Sequence, residues 1–99
     1  MLLPGSTMAH VYVPTLLRSL CGGAEQLTID APTLGALLKA LDQRCPGLYD
    51  RVIEDGRLRP ELAVAIDGEA GKFPLHEPLG PNAQVTIVPA IGGGQAETR

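Results

Sequence analysis

Tryptophan is absent from this 99-residue sequence, and only Tyr12, Tyr49 and Phe73 are aromatic. A core must therefore be assembled from Leu, Val, Ile and Ala. The 44% apolar content suffices for a single domain near the lower size limit. Positive charge is also in short supply. Eight Lys and Arg against eleven Asp and Glu leave a net charge of −3, whereas a nucleic-acid partner would demand a basic face. No apolar run approaches the roughly 20 residues that span a bilayer. Neither nucleic acid nor membrane is expected as a partner. The opening MLLPGSTMAH has no basic stretch and no apolar segment of signal length, which predicts a cytoplasmic location.

Chemistry-bearing clusters are equally sparse. Cys21 and Cys45, the only cysteines, form no CxxC, and His10 and His76 stand at no metal-ligand spacing to them or to each other. No metal site is expected. The cysteines read as two free thiols, partly in the core, because a disulfide would require an oxidising compartment that nothing in the sequence implies. Phosphate-cradling loops require GxxxxGK[ST] or GxGxxG at a strand-to-helix junction. Cys21-Gly22-Gly23 has no Lys, Ser or Thr at the right offset, and Gly92-Gly93-Gly94 precedes no helix-forming stretch. Glu54 and Asp55 are adjacent, but in a turn, where solvated charge is the ordinary explanation. No Ser/His/Asp or Cys/His arrangement is visible. No catalytic residues are expected, and by itself the chain reads as unable to catalyse a reaction.

The pattern of elements is clear. Val11, Tyr12 and Val13 favour a strand starting at His10, interrupted by Pro14 at a bulge or an edge. Cys21-Gly22-Gly23-Ala24 is a turn, and the alternation in Gln26-Leu27-Thr28-Ile29-Asp30 completes an N-terminal hairpin. Thr33 is placed to cap a helix in which Leu34, Leu37, Leu38, Leu41 and Cys45 recur at steps of three and four. Such a stripe must be buried. Pro46 and Gly47 stop it, and Leu48, Tyr49, Val52 and Ile53 suggest a short second helical turn before Asp55-Gly56. Leu62-Ala63-Val64-Ala65-Ile66 is a third strand, closed by the hairpin signal Asp67-Gly68. Residues 73–81, with three prolines, are loop-like, and residues 84–88 form the last strand.

A helix laid over one face of a small mixed sheet satisfies this order. The helix supplies the crossover that lets the first and last strands run parallel at the centre. The predicted fold is α+β: a β-grasp (ubiquitin-like) mixed sheet of four to five strands with one main helix and a short second helix. The domain should occupy residues 10–91, between a flexible extension at 1–9, in which Met8 is a second candidate start, and a flexible glycine tail at 92–99.

That tail is the sharpest feature. A β-branched run is followed by Gly92, Gly93 and Gly94, then by five residues of which four are polar. Three residues without side chains can pack nothing. They are either a frayed terminus or a segment that threads a narrow passage in a partner, where any Cβ would collide and glycine takes the required backbone angles freely. The stretch Val85-Thr86-Ile87-Val88-Pro89-Ala90-Ile91-Gly92-Gly93-Gly94 resembles the end of the ubiquitin-like sulfur carriers, which include the small subunit of molybdopterin synthase and the thiamine sulfur carrier. Val13-Pro14-Thr15-Leu16-Leu17-Arg18, Gly22-Gly23 and Thr33-Leu34-Gly35-Ala36-Leu37-Leu38 agree. Over residues 10–94 the pattern is most similar to the carriers of cysteine and thio-metabolite synthesis.

The resemblance implies a mechanism. Gly94 would be the residue whose carboxyl is adenylated and converted to a thiocarboxylate, with Gly92 and Gly93 as the threading segment. Typical carriers end at the second glycine, whereas Gln95, Ala96, Glu97, Thr98 and Arg99 follow here and lock that carboxyl in a peptide bond. The Gly94–Gln95 bond is then the cleavage junction for a zinc-dependent, deubiquitinase-like peptidase that removes residues 95–99. The other implied partners are a ubiquitin-activating-like adenylyltransferase and a sulfur-accepting synthase, dependent on pyridoxal phosphate in cysteine-forming branches. The chain itself is expected to bind no cofactor, and ATP is used by the activating partner. Pro89, Ala90 and Ile91 are candidate docking residues at the exit from the sheet, or else they finish the core. Two alternatives stay open: the small subunit of molybdopterin synthase, and a protein modifier that forms isopeptide bonds through Gly94. With Lys39 and Lys72 as the only lysines, few sites exist for chain building.

Overall fold

The apolar stripe of the main helix decides the architecture. In the computed structural model, which describes residues 8–89, helix α1 spans Leu34–Arg44, and Leu34, Leu37, Leu38 and Leu41 are fully buried, as is Cys45 just beyond it. The helix starts where the sequence places it: Thr33 is extended, and its Oγ1 accepts the Ala36 N–H at 3.2 Å, satisfying one of the unpaired donors of the first turn.

Beneath α1 lies a five-stranded mixed sheet. Its strands are β1 (Met8–Tyr12), β2 (Gln26–Asp30), β5 (Leu62–Ile66), β6 (Glu69–Gly71) and β7 (Gln84–Pro89), in the order β2-β1-β7-β5-β6. A separate small hairpin joins β3 (Ile53–Glu54) to β4 (Arg57–Leu58). The first and last strands pair in parallel at the centre, with Val11 opposite Val85, as the crossover argument requires. On its other side β7 runs antiparallel to β5, with Ile87 opposite Val64. Val11, Val64, Val85, Ile29 and Ile87 are all buried, so alternate residues of four strands make a floor for the leucines of α1. No polar or charged residue is buried among the described residues. The predicted β-grasp arrangement is the observed one.

Several expectations change. Strand β1 begins at Met8, with Ala9 fully buried, so the domain takes in two residues that were assigned to the extension. Pairing with Ile29 and Asp30 extends it that far. The strand stops at Tyr12. Pro14, with φ −66° and no N–H to lose, instead leads into a 3-10 helix over Thr15–Cys21. Ile53 leaves the second helix, α2 (Leu48–Val52), and becomes extended. The cause lies in Asp55 and Gly56, which take positive φ of 57° and 77° in a tight turn that pairs Ile53 with Leu58. Asp67 and Gly68 turn the same way, at 52° and 88°, and create β6 as the fifth strand.

The cysteines are the largest correction. They are not free thiols: Cys21 and Cys45 form a disulfide with an S–S distance of 2.10 Å, joining the end of the 3-10 helix to the end of α1. Compartment alone does not decide the matter, because the fold brings together two helix ends that lie 24 positions apart in sequence.

Between β6 and β7 the chain is irregular but anchored. Carbonyls of Leu75 and Glu77 accept the N–H groups of Gly35 and Leu34 at 2.7 and 3.0 Å, while Leu79 N–H donates to the Pro32 carbonyl at 3.0 Å. This loop thus closes the exposed donors at the start of α1.

Candidate functional site

Strand β7 carries the candidate site toward its working end. Flanked by β1 and β5 at the centre of the sheet, it is held on both edges by backbone hydrogen bonding. A strand so placed is a rigid base for whatever follows it. Along β7 the side chains alternate: Val85 and Ile87 are buried, Thr86 and Val88 half-buried, and Pro89 exposed. Of the predicted docking residues, Pro89 therefore stands at the surface and does not finish the core. Ala90, Ile91, Gly92, Gly93, Gly94 and Gln95 lie outside the described residues.

Pro89 borders a groove of about 350 Å³ whose walls are mainly apolar. Val88 and Pro89 contribute one wall, and Pro14, Leu16 and Leu17 of the 3-10 region the other. Arg51 and Glu61 add one charge of each sign. Leu16 is 82% exposed, the most exposed large apolar side chain among the described residues. Leaving a leucine in water forgoes about 1.5–3 kcal/mol of burial, and here it does so in the groove that the end of β7 borders. Sequence reasoning missed Leu16 as a docking candidate. No local signal marked it: Leu16 and Leu17 are alike in sequence, and only the fold shows that Leu17 is the buried one.

A second hollow, about 610 Å³, lies at the opposite side of β5, between the β3–β4 hairpin and residues 72–74. Its Lys72 is committed to backbone, for Nζ donates to the carbonyls of Arg59 and Pro60 at 2.8 Å and also to that of Leu62. Arg59 in turn donates to the Asp50 carbonyl, at 2.9 Å from Nη2, and lies 3.7 Å from Glu54. These groups hold the turn into β5 and converge on no ligand position. Among the described residues no cluster of three or more His, Cys, Asp or Glu could hold a metal, and no helix is long and apolar enough to cross a membrane.

A β-grasp body whose central strand ends at Pro89 beside an apolar groove, with three glycines following in the sequence, is the architecture of ubiquitin-like proteins. Comparison with known proteins narrows the class. The model of the ThiS family matches residues 11–94, and the chain belongs to that family of ubiquitin-like sulfur carriers. The sulfur carrier protein CysO of Mycobacterium tuberculosis is 29% identical over 89 residues, covering 85% of this chain and 96% of that protein. Its crystal structure superposes with a TM-score of 0.78 at 27% identity, over 84% of this chain and 99% of that one. The Amycolatopsis orientalis BexX/CysO complex contains a chain with the same TM-score at 25% identity, covering 87% and 99%. Haloferax volcanii small archaeal modifier protein 1 follows at 0.69 and 26%, covering 88% and 99%. The homologues are small carrier proteins and not catalysts, in keeping with a chain whose sequence offers no catalytic constellation.

Proposed function

We propose that this protein carries sulfur as a thiocarboxylate on Gly94, after residues 95–99 have been removed, and delivers it to an enzyme that makes cysteine or another thio-metabolite. The observation that carries this reading is the coincidence of two boundaries. The family match ends at residue 94, the last of the three glycines, and β7 exits at Pro89 on the rim of the apolar groove, five residues upstream.

The chemistry follows from the carboxylate. As an anion with delocalised charge and no leaving group, it resists attack by a sulfur nucleophile. Transfer of AMP from ATP, with release of pyrophosphate, converts the Gly94 carboxyl to an acyl-adenylate. Hydrosulfide, or the terminal sulfur of a persulfide, then attacks the carbonyl carbon and AMP departs. With a persulfide donor the product is an acyl disulfide, and a thiol that attacks the donor's sulfur releases the thiocarboxylate and is itself oxidised to a disulfide with the donor. None of these steps needs a side chain of the carrier, which contributes its terminus and a surface that positions it. Gly92 and Gly93 let the backbone enter a passage too narrow for a Cβ. The groove beside Pro89, with Leu16 on its far wall, is the surface assigned to the adenylyltransferase, because a partner that takes hold of residue 94 must lie over the exit of β7. A zinc-dependent peptidase of the deubiquitinase-like class would open the Gly94–Gln95 bond. The acceptor would be a synthase, and the setting the cytoplasm; the BexX/CysO complex supports a stable partner for a protein of this kind.

The test compares residues 1–94 with the full chain, each incubated with ATP, a ubiquitin-activating-like adenylyltransferase and sulfide. The shorter protein should gain the mass of one sulfur-for-oxygen exchange and the full chain should not. Charging of the intact chain, or failure of the trimmed one, would overturn the proposal. The likeness to an archaeal modifier favours a second reading, isopeptide transfer through Gly94. Lysine-linked adducts on other proteins, without thiocarboxylate, would select it.

A further inference from the structure

We propose that Cys21 and Cys45 form a redox-reversible staple, and that its reduction by a dithiol loosens one wall of the groove beside β7 while the sheet stays intact.

That wall is otherwise lightly held. Of the seven residues in the 3-10 helix only Leu17 is buried, with Arg18, Leu20 and Cys21 partly so. Among the described residues its hydrogen bonds stay within its own connection: Leu17 N–H donates to the Pro14 carbonyl, Gly23 N–H to Arg18, Ala24 N–H to Cys21, and Arg18 Nε to Val13. The one covalent tie from this segment to the helix layer is the bond from Cys21 to Cys45. Immediately after Cys21 the chain turns through Gly22 and Gly23 at φ +65° and +87°, and a Cβ at either would meet nothing within 4 Å. No packing there replaces the bond once it is cut.

The two sulfurs are unequal in access. Cys45 is fully buried at the end of α1, whereas Cys21 is partly exposed. A thiolate of the reductant therefore attacks the Cys21 sulfur, and the S–S bond breaks with Cys45 leaving as a thiolate that takes up a proton. The reductant's second thiol then displaces Cys21, leaving two protein thiols and the reductant's disulfide. Exchange in the opposite direction, with an oxidised dithiol, restores the bond. A disulfide in a chain expected in the cytoplasm falls in the class of transient, redox-sensing bonds.

The consequence for docking rests on the sulfur-carrier reading. Leu16 and Leu17 sit between Pro14 and the staple, so cutting it leaves Leu17 as the wall's main anchor, and the reduced protein should engage its activating enzyme more weakly.

Hydrogen exchange of the full chain, oxidised and in dithiothreitol, tests the staple itself. Amides of residues 15–24 should exchange about tenfold faster on reduction, with β1 and β7 unchanged, and a Cys21→Ser/Cys45→Ser variant should match the reduced form. Equal exchange in both states, acceleration throughout the fold, or alkylation of both cysteines before reduction would overturn the proposal. In parallel, the KM for adenylation of residues 1–94 should rise on reduction at constant kcat. An unchanged KM with a loosened segment overturns the docking consequence. Absence of adenylation in either state counts against the carrier reading, and the exchange result then decides the staple alone.

Discussion

Gly35 N–H donates to the Leu75 carbonyl at 2.7 Å, and a Cβ built on Gly35 would stand 3.0 Å from that same oxygen and 3.1 Å from the Leu75 Cβ. The start of α1 and the loop after β6 meet so closely that a methyl group fits between them only if the loop gives by a few tenths of an ångström. Neighbouring ties on both sides, Leu34 N–H to Glu77 and Leu79 N–H to Pro32, prevent the loop from drawing back without lengthening hydrogen bonds. In an unencumbered helix Gly→Ala gains up to about 1 kcal/mol. Here overpacking, typically about 1–3 kcal/mol, should outweigh that gain. Gly35→Ala is expected to lower stability by about 1 kcal/mol net, read as a drop in urea midpoint at constant m-value. A raised midpoint would show that the loop yields.

The disulfide closes a loop between positions 24 apart, which the chain-entropy relation converts to about 3.5 kcal/mol of stabilisation through the unfolded state. Cys21→Ser should cost about that much under oxidising conditions and almost nothing once the parent is reduced. The variant should nevertheless remain folded, because the buried leucines of α1 and the five-stranded sheet do not involve the bond. Thermal melts of both proteins, with and without reductant, measure the difference. Equal melting temperatures in oxidising buffer would contradict it.

Where local chemistry settles a conformation, the sequence was legible. Period-two alternation marked β2, the leucine stripe marked α1, and Thr33 announced its cap. Less was visible where distant contacts choose. Ile53 has the apolar character of its helical neighbours and was pulled into a strand by a turn two residues later. Pro14 was read as a strand interruption because nothing local distinguishes a bulge from the entry to a 3-10 helix. The pairing of Cys21 with Cys45 required knowing that α1 ends above the 3-10 segment, a tertiary fact. As for the site, the glycines and Pro89 stood out by composition, whereas Leu16 became visible only once its neighbour Leu17 was found buried.

Thr33 offers a clean test of local coding. Its hydroxyl serves the Ala36 N–H, while its backbone carbonyl accepts the Leu37 N–H at 2.9 Å whatever side chain is present. Thr33→Ala should therefore lose only the cap, about 1 kcal/mol, and Thr33→Ser should lose little of it. Equal losses for both, in equilibrium urea unfolding, would mean that the Thr33 methyl group and not the hydroxyl is what matters.

Leu16 separates docking from folding. At 82% exposure it contributes little to the core, so Leu16→Asp should shift stability by no more than about 0.5 kcal/mol. If the groove beside Pro89 seats the activating enzyme, the same change removes one buried leucine from that interface and places a carboxylate in it. A loss of about 1.5–3 kcal/mol then corresponds to a rise in KM of roughly tenfold or more, with kcat retained because the terminus is untouched. Gly94→Ala in the trimmed protein should behave in the opposite way, sparing the fold and the docking affinity but abolishing thiocarboxylate formation, since its methyl group is added where the reacting carbonyl must sit. Steady-state kinetics of adenylation for the two variants resolve the matter. A Leu16→Asp protein that is activated with an unaltered KM would remove the groove from the partner's footprint and leave the exit of β7 to be recognised by the glycine segment alone.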